Sequence, residues 1–274
     1  MERTVPHEAD SLSAKSGPIW SDAGKKLTTT LEYLVSVSER RGACYLPLLD
    51  PDRLSLKDLE ARAELCVDVG ADAILVGTSL MLSTNKSACL FERLKECVKI
   101  PIISFPGDAS HVVPTADALL FLSMISGRNA ELLIGQHVRA APLLKEYGIE
   151  VVPTGYMLIE SGTLTSVEYM SSTRPMPRDK EDIALAHALA AEFLGMKLIY
   201  LDTGSGAVDS VPNSLISSIV GSVSLPVIAG GGIRDPETAR AKVEAGASCV
   251  VTGTMIEEDP KRIREISDAV HVKH

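Results

Sequence analysis

Two acidic residues stand where a carboxylate can meet a substrate. Asp202 lies in Tyr200-Leu201-Asp202-Thr203-Gly204-Ser205-Gly206-Ala207, and Asp50 in Leu48-Leu49-Asp50-Pro51-Asp52. Each ends a short apolar run, so each is expected at the end of a strand. A carboxylate held there can accept a proton or bind a cation. Asp202 can equally be a helix cap, and Asp50 a turn residue. Gly77-Thr78-Ser79 ends another apolar run and is expected to face Asp50. A carboxylate and a hydroxyl at adjacent strand ends can share Mg²⁺, whose remaining ligands would be water and substrate phosphate oxygens. Glycine turns follow two further runs: Gly230-Gly231-Gly232-Ile233 and Gly253-Thr254. Without Cβ atoms, backbone N–H groups approach an anion closely, and a helix starting behind them adds its positive end. Tight strand-to-helix connections would account for either glycine turn alone. Both together, at matching positions, point to phosphate.

Elements that would position these groups recur along the chain. From Ala43 onward, runs rich in Val, Ile, Leu and Ala alternate with amphipathic stretches. The eight strand candidates are Cys44–Leu49, Ala73–Val76, Ile100–Ser104, Ala118–Leu122, Glu150–Pro153, Leu198–Leu201, Pro226–Ala229 and Cys249–Thr252. Eight βα units in 274 residues predict an α/β protein with a (β/α)₈ TIM barrel. Its phosphate site would be built by the loops after strands seven and eight. Ser55 with Asp58, Asp235-Pro236 and Asp259-Pro260 are expected helix starts. Val69–Ser79 and Ala245–Met255 echo one another as helix end, glycine turn, buried strand and Gly-Thr, as repeated units would. Pro106–Thr115 has little periodicity, so a helix after the third strand is expected to be replaced by an irregular segment. Residues 1–25 are polar and read as an extension with a short helix beginning near Ser21; residues 26–274 read as one domain.

Composition narrows the function. The formal charge of −9 opposes a broad nucleic-acid footprint. The five cysteines form no CxxC pair and read as reduced, buried thiols. With no run of 18 apolar residues and no signal-peptide core at the start, a cytoplasmic enzyme is expected. His111, His137 and His187 lack metal-ligand spacing and read as surface or packing residues, and Lys180-Glu181-Asp182 as a solvated first helical turn. Leu119, Leu120, Phe121, Leu122, Met124 and Ile125 read as core, with the further option of lining an apolar channel.

The combination resembles one family. Tyr200–Ala207, Pro212, Gly230-Gly231-Gly232-Ile233-Arg234 and Gly253-Thr254 are similar in order and spacing to the geranylgeranylglyceryl phosphate synthases. So are Leu49-Asp50-Pro51, Gly77-Thr78-Ser79, Phe121-Leu122-Ser123 with Asn129, and Gly155-Tyr156, over roughly residues 43 to 270. The resemblance implies a prenyl transfer from geranylgeranyl diphosphate to sn-glycerol 1-phosphate. It places Mg²⁺ at Asp50 and Ser79. It places the glycerol phosphate at Tyr200, Leu201, Asp202, Thr203, Gly204, Ser205, Gly206, Gly231, Gly232, Gly253 and Thr254, with Asp202 orienting the hydroxyl and accepting its proton. The family pattern favours Glu where Asp202 stands, which keeps the charge on a side chain one methylene shorter. The aromatic residue common after the Ser-x-x-Asn run is missing here, where Glu131 and Leu132 stand. The resemblance also implies a homo-oligomer making transient contact with lipid surfaces. The residues alone leave two other readings: a different phosphate-binding barrel isomerase or lyase, and a non-catalytic barrel subunit.

Overall fold

The computed structural model describes residues 20–22, 25–77, 84–253 and 262–273. Strands β1 (Trp20–Asp22) and β2 (Lys25–Leu27) form an antiparallel pair. The next eight close into an all-parallel barrel: β3 (Cys44–Leu49), β4 (Ile74–Gly77), β5 (Ile102–Phe105), β6 (Ala118–Met124), β7 (Glu150–Leu158), β8 (Leu198–Asp202), β9 (Val227–Gly230) and β10 (Cys249–Thr252). Every strand candidate is present, and β10 pairs with β3 to complete the (β/α)₈ TIM barrel. The helix expected near Ser21 is instead strand β1. Trp20 holds it there, its indole donating to Thr30 Oγ1 at 3.3 Å and its ring packing on Tyr33. Such a tertiary anchor is invisible in local periodicity.

Helix α1 (Thr30–Arg41) begins at a capping box between Thr29 and Glu32. Glu150, at the start of β7, accepts hydrogen bonds from the Thr30 and Leu31 amides at 2.5 and 3.0 Å. Leu34 and Val37 of this helix join the cluster formed by Leu46, Leu75, Ile103, Leu120 and Val152, closing the barrel at the ends where its strands begin. Helices α2 (Leu56–Asp68), α3 (Thr84–Cys97), α4 (Gln136–Tyr147), α5 (Ser166–Ser171), α6 (Glu181–Phe193), α7 (Asn213–Val220), α8 (Pro236–Glu244) and α9 (Arg262–Val270) follow. Ser55 caps α2 by accepting from Asp58 N, and Asp235 caps α8 with Pro236 at its first position. The Asp259-Pro260 start lies outside the described residues. After β5 there is only a 3₁₀ turn, Ala109–His111, as the irregular Pro106–Thr115 segment foretold. The echoing segments each place a left-handed glycine before a strand: Gly70 at φ 90° ahead of β4, and Gly246 at φ 101° ahead of β10.

Period-two alternation decides which side chains reach the inside. In β8, Ile199 and Leu201 pack outward with Ala188, Ile216 and Ala229, while Leu198 and Tyr200 face inward with Ile228 and Val251. Asp202 continues the inward series at the strand's C-terminal end. Cys44, Cys66 and Cys249 are buried free thiols; Cys97 is half-buried and Cys89 exposed, on the outer side of α3.

Candidate active site

A cavity of about 440 Å³ opens at the C-terminal ends of the strands. One side is polar, lined by Asp202, Gly204, Ser205 and Gly206 from the β8 loop and by Gly231, Gly232 and Gly253 from the loops after β9 and β10. Glycine turns of three neighbouring loops thus meet at one rim. Asp50 and Gly77 line the same cavity. The other side is mainly apolar, formed by Phe105, Val112, Leu119, Phe121, Leu122, Leu132, Ala140 and Val167, with Asp108, His111, Gln136 and His137 also in the lining.

Asp202 is 9% exposed and fully engaged. Its Oδ2 accepts from the Tyr156 hydroxyl at 2.5 Å, and its Oδ1 from Gly204 N at 2.8 Å. Burial raises its carboxyl above the usual value, against the pull of Tyr156 and the Gly204 and Thr203 amides. Burial and the Asp202 charge push the Tyr156 phenol well up as well, so it stays a donor. Beside it lie tilted, packed rings: Phe105 is 5.4 Å from Tyr200, and Tyr200 is 5.5 Å from Tyr156.

At Gly204, Gly231 and Gly232 the loops leave no room for a side chain, whereas the space beside Gly206 is open. Gly204, Gly206, Gly231 and Gly232 all have positive φ. A Cβ on Gly231 would stand 2.4 Å from Thr203 Oγ1 and 2.7 Å from Asp202 Oδ1, and one on Gly232 would stand 2.7 Å from Ser210 N. The glycines therefore bring the β8 and β9 loops into direct backbone contact beside the carboxylate.

Asp50, which lines the cavity as Asp108 does, has a side chain 24% exposed. Its Oδ1 accepts from Asp52 N at 2.9 Å, and Arg53 Nε lies 3.5 Å from its Oδ2. A carboxylate with open coordination beside a cavity suits a hard cation that keeps most of its ligands from water and substrate. Among the described residues no cluster of three metal-binding side chains exists.

The structure brings together Asp50, Tyr200, Asp202, Gly204, Ser205, Gly206, Gly231, Gly232 and Gly253. It turns the Leu201 side chain away, into the outer apolar cluster, because odd positions of β8 face the helices. Thr203 is buried behind the turn, its Oγ1 without a hydrogen-bond partner. Ser79 and Thr254 lie outside the described residues. Of the apolar run, Leu119, Phe121, Leu122 and Met124 line the cavity, while Leu120 packs inside the barrel and Ile125 in the outer layer. Sequence reasoning gave Tyr156 no role, and read His137 as a surface or packing residue. His137 lines the apolar side, edge-on to Phe121 at 4.3 Å, with Nδ1 buried and unpaired. Burial lowers its pKa.

The family profile of PcrB matches residues 35–270. The chain belongs to the PcrB family. Its relatives carry the name that the motifs suggested. It is 47% identical over 224 residues to a geranylgeranylglyceryl phosphate synthase of Chitinophaga pinensis, spanning 82% of this chain and 88% of that one. It is 44% identical over 223 residues to the synthase of Spirosoma linguale, spanning 81% and 89%. The crystal structure of (S)-3-O-geranylgeranylglyceryl phosphate synthase from Thermoplasma acidophilum, in complex with sn-glycerol-1-phosphate, superposes with a TM-score of 0.85 at 31% identity. It covers 89% of this chain and 99% of that one. A PcrB-family barrel with this cavity is therefore the frame for the chemistry.

Proposed function

We propose that the protein is a geranylgeranylglyceryl phosphate synthase. It joins the prenyl chain of geranylgeranyl diphosphate to sn-glycerol 1-phosphate, yielding 3-O-geranylgeranylglyceryl phosphate for ether lipid biosynthesis. One observation carries the reading: a buried carboxylate, Asp202, stands where glycines of three loops meet, at the polar end of a cavity whose other end is mainly apolar. That division matches an acceptor with a phosphate and a donor with a hydrocarbon tail.

In this reading the amides of Gly206, Gly231, Gly232 and Gly253 surround the phosphate, while the Gly204 amide holds Asp202. The free primary hydroxyl of the glycerol points at Asp202. Its oxygen bonds to the first carbon of the prenyl chain as the bond from that carbon to diphosphate breaks. The bonding pair leaves with diphosphate, and the hydroxyl proton passes to the Asp202 carboxylate. The raised pKa makes Asp202 a stronger base than an exposed carboxylate, and Tyr156 and Gly204 fix which lone pairs face the substrate. Phe105, Leu122 and Val167 keep water from the reacting carbon.

Asp50, with Ser79 by family resemblance, would hold Mg²⁺. Bound there, the ion supplies positive charge to stabilise the departing diphosphate. The oxygen-only donor chemistry fits a hard cation. The same reading makes the enzyme a cytoplasmic homo-oligomer that touches lipid surfaces transiently, because its donor and product are amphiphiles. Exposed Leu164, Tyr169 and Met170, with Met170 also lining the cavity, supply an apolar edge for such contact.

The test is incubation of the purified protein with labelled sn-glycerol 1-phosphate, geranylgeranyl diphosphate and Mg²⁺, followed by organic extraction. Transfer of label into the organic phase is expected. Label that stays aqueous with the full substrate set would overturn the assignment.

A further inference from the structure

Three cationic side chains from three separate places in the chain converge on one short stretch of backbone. Arg234, immediately after the β9 glycine turn, donates to the carbonyls of Ala207 at 2.6 Å and Val208 at 3.4 Å. Arg178, ahead of α6, donates to the Ser210 carbonyl at 2.8 Å and the Glu160 carbonyl at 2.9 Å. Lys242 of α8 donates to the Val211 carbonyl at 2.6 Å and to Asn213 Oδ1 at 2.7 Å. The stretch they hold, residues 207–211, is the continuation of the Asp202–Gly206 loop, and Gly232 packs directly on Asp209 and Ser210.

These contacts give each side chain two hydrogen bonds without cancelling the charges. Among the described residues, none of the three forms an ion pair with a carboxylate. Lys242 is 4% exposed, and burial beside Arg178 pushes its ammonium down to about 8, with Asp235 pulling the other way. A buried ammonium with no carboxylate in ion-pair contact is costly, and a chain of net charge −9 has carboxylates to spare. Positive charge left open behind a glycine turn is complementary to an anion in front of it.

We propose that Arg178, Arg234 and Lys242 are positioning residues for the phosphate of the acceptor substrate. By gripping the carbonyls of residues 207–211 they fix the direction of the turn's amides. By remaining unpaired they place a positive field around it, Arg234 from the cavity wall and Arg178 and Lys242 from outside the lining, that favours a phosphate dianion over a neutral headgroup. The inference rests on reading the glycine turns as the glycerol phosphate site.

The experiment compares Lys242→Met, Lys242→Arg, Arg234→Met and Arg178→Met with the unaltered chain. Glycerol phosphate and inorganic phosphate binding are measured by calorimetry, and KM and kcat by steady-state kinetics, with thermal unfolding alongside. The methionine variants should bind glycerol phosphate about tenfold more weakly, the size of one lost charge-assisted hydrogen bond. KM for glycerol phosphate should rise in parallel, while kcat at saturation and KM for the prenyl diphosphate stay within about twofold, because the reacting groups are untouched. Lys242→Arg should recover most of the affinity. Arg234 is exposed, so Arg234→Met keeps the test alive if the buried Lys242→Met does not fold. Unchanged glycerol phosphate affinity in folded methionine variants would overturn the proposal while leaving the assigned function intact, as would equal losses in both KM values and kcat. An unaltered chain that binds neither glycerol phosphate nor inorganic phosphate would remove both.

Discussion

The Tyr156 hydroxyl donates to Asp202 Oδ2 at 2.5 Å, joining the inward faces of two adjacent strands at the polar end of the cavity. Gly204 N takes the other carboxylate oxygen at 2.8 Å, so the carboxylate plane is set before any substrate arrives. Removing the hydroxyl in Tyr156→Phe takes away a donor that opposes the raised pKa of Asp202. We expect kcat to fall about tenfold, consistent with loss of a hydrogen bond to a charged group worth roughly 1.5–3 kcal/mol, and the acid limb of the rate profile to move to higher pH. An acid limb unmoved in Tyr156→Phe would show that the pair does not titrate in catalysis.

Asp202→Asn separates turnover from stability. Activity needs the carboxylate ionised, so the rate should climb with pH through the raised pKa of Asp202, and the amide should lower kcat by about a hundredfold or more. Glycerol phosphate binding should weaken much less. Because the folded pKa lies above the unfolded one, ionising Asp202 costs stability: its favourable contribution is present below the unfolded carboxyl pKa and is lost as pH rises through the folded value. At neutral pH the neutral variant should therefore unfold at the same temperature as the parent or higher. Calorimetric unfolding and single-turnover rates check the two halves, and a matched loss of binding and rate would reduce Asp202 to a binding group.

Gly231→Ala should empty the site without dismantling the barrel. Its φ of 78° disfavours any Cβ, and the added methyl would collide with Thr203 Oγ1 and Asp202 Oδ1. A non-glycine residue in this region of backbone costs on the order of 1–2 kcal/mol, affordable for a domain of this size. Glycerol phosphate binding, measured by calorimetry, should be lost while far-ultraviolet circular dichroism is retained. Binding at parental strength would contradict the close contact of the two loops.

Asp50→Ala should raise the Mg²⁺ concentration needed for half-maximal activity. The carboxylate lines the cavity, and among the described residues its side chain meets Asp52 N and the Arg53 side chain 3.5 Å away. A metal titration superimposable on that of the parent would take Asp50 out of the metal site.

The opposite end of the barrel offers a stability test far from the chemistry. Asp72 is 3% exposed and is held by Arg41 at 2.6 Å, by His271 Nε2 at 2.8 Å and by the Tyr45 amide at 2.8 Å. Asp72→Ala would take the anion from Arg41 and His271 and leave the buried Tyr45 amide unpaired, a loss of roughly 3–5 kcal/mol. Chemical denaturation should register that loss, whereas a change below about 1 kcal/mol would mean the network relaxes around the gap.

Local sequence alone determined much of this molecule. Alternating apolar runs located all eight barrel strands, because a strand buried on both faces must be apolar whatever its neighbours are. Capping chemistry located the starts of α2 and α8, since a side chain two or three residues away decides them. The strand-end carboxylates and glycine turns were legible for the same reason: they are statements about one short segment each. What tertiary structure decided was everything that depends on which segments meet. Trp20 forms a strand because Thr30 and Tyr33 wait for it, and Leu201 leaves the site because the barrel fixes which parity of β8 faces inward. The Tyr156–Asp202 bond spans 46 positions, and Arg178, Arg234 and Lys242 reach one loop from three directions. Hydrogen bonds between distant residues leave no periodic trace in a chain, so only the closed barrel could bring them into view.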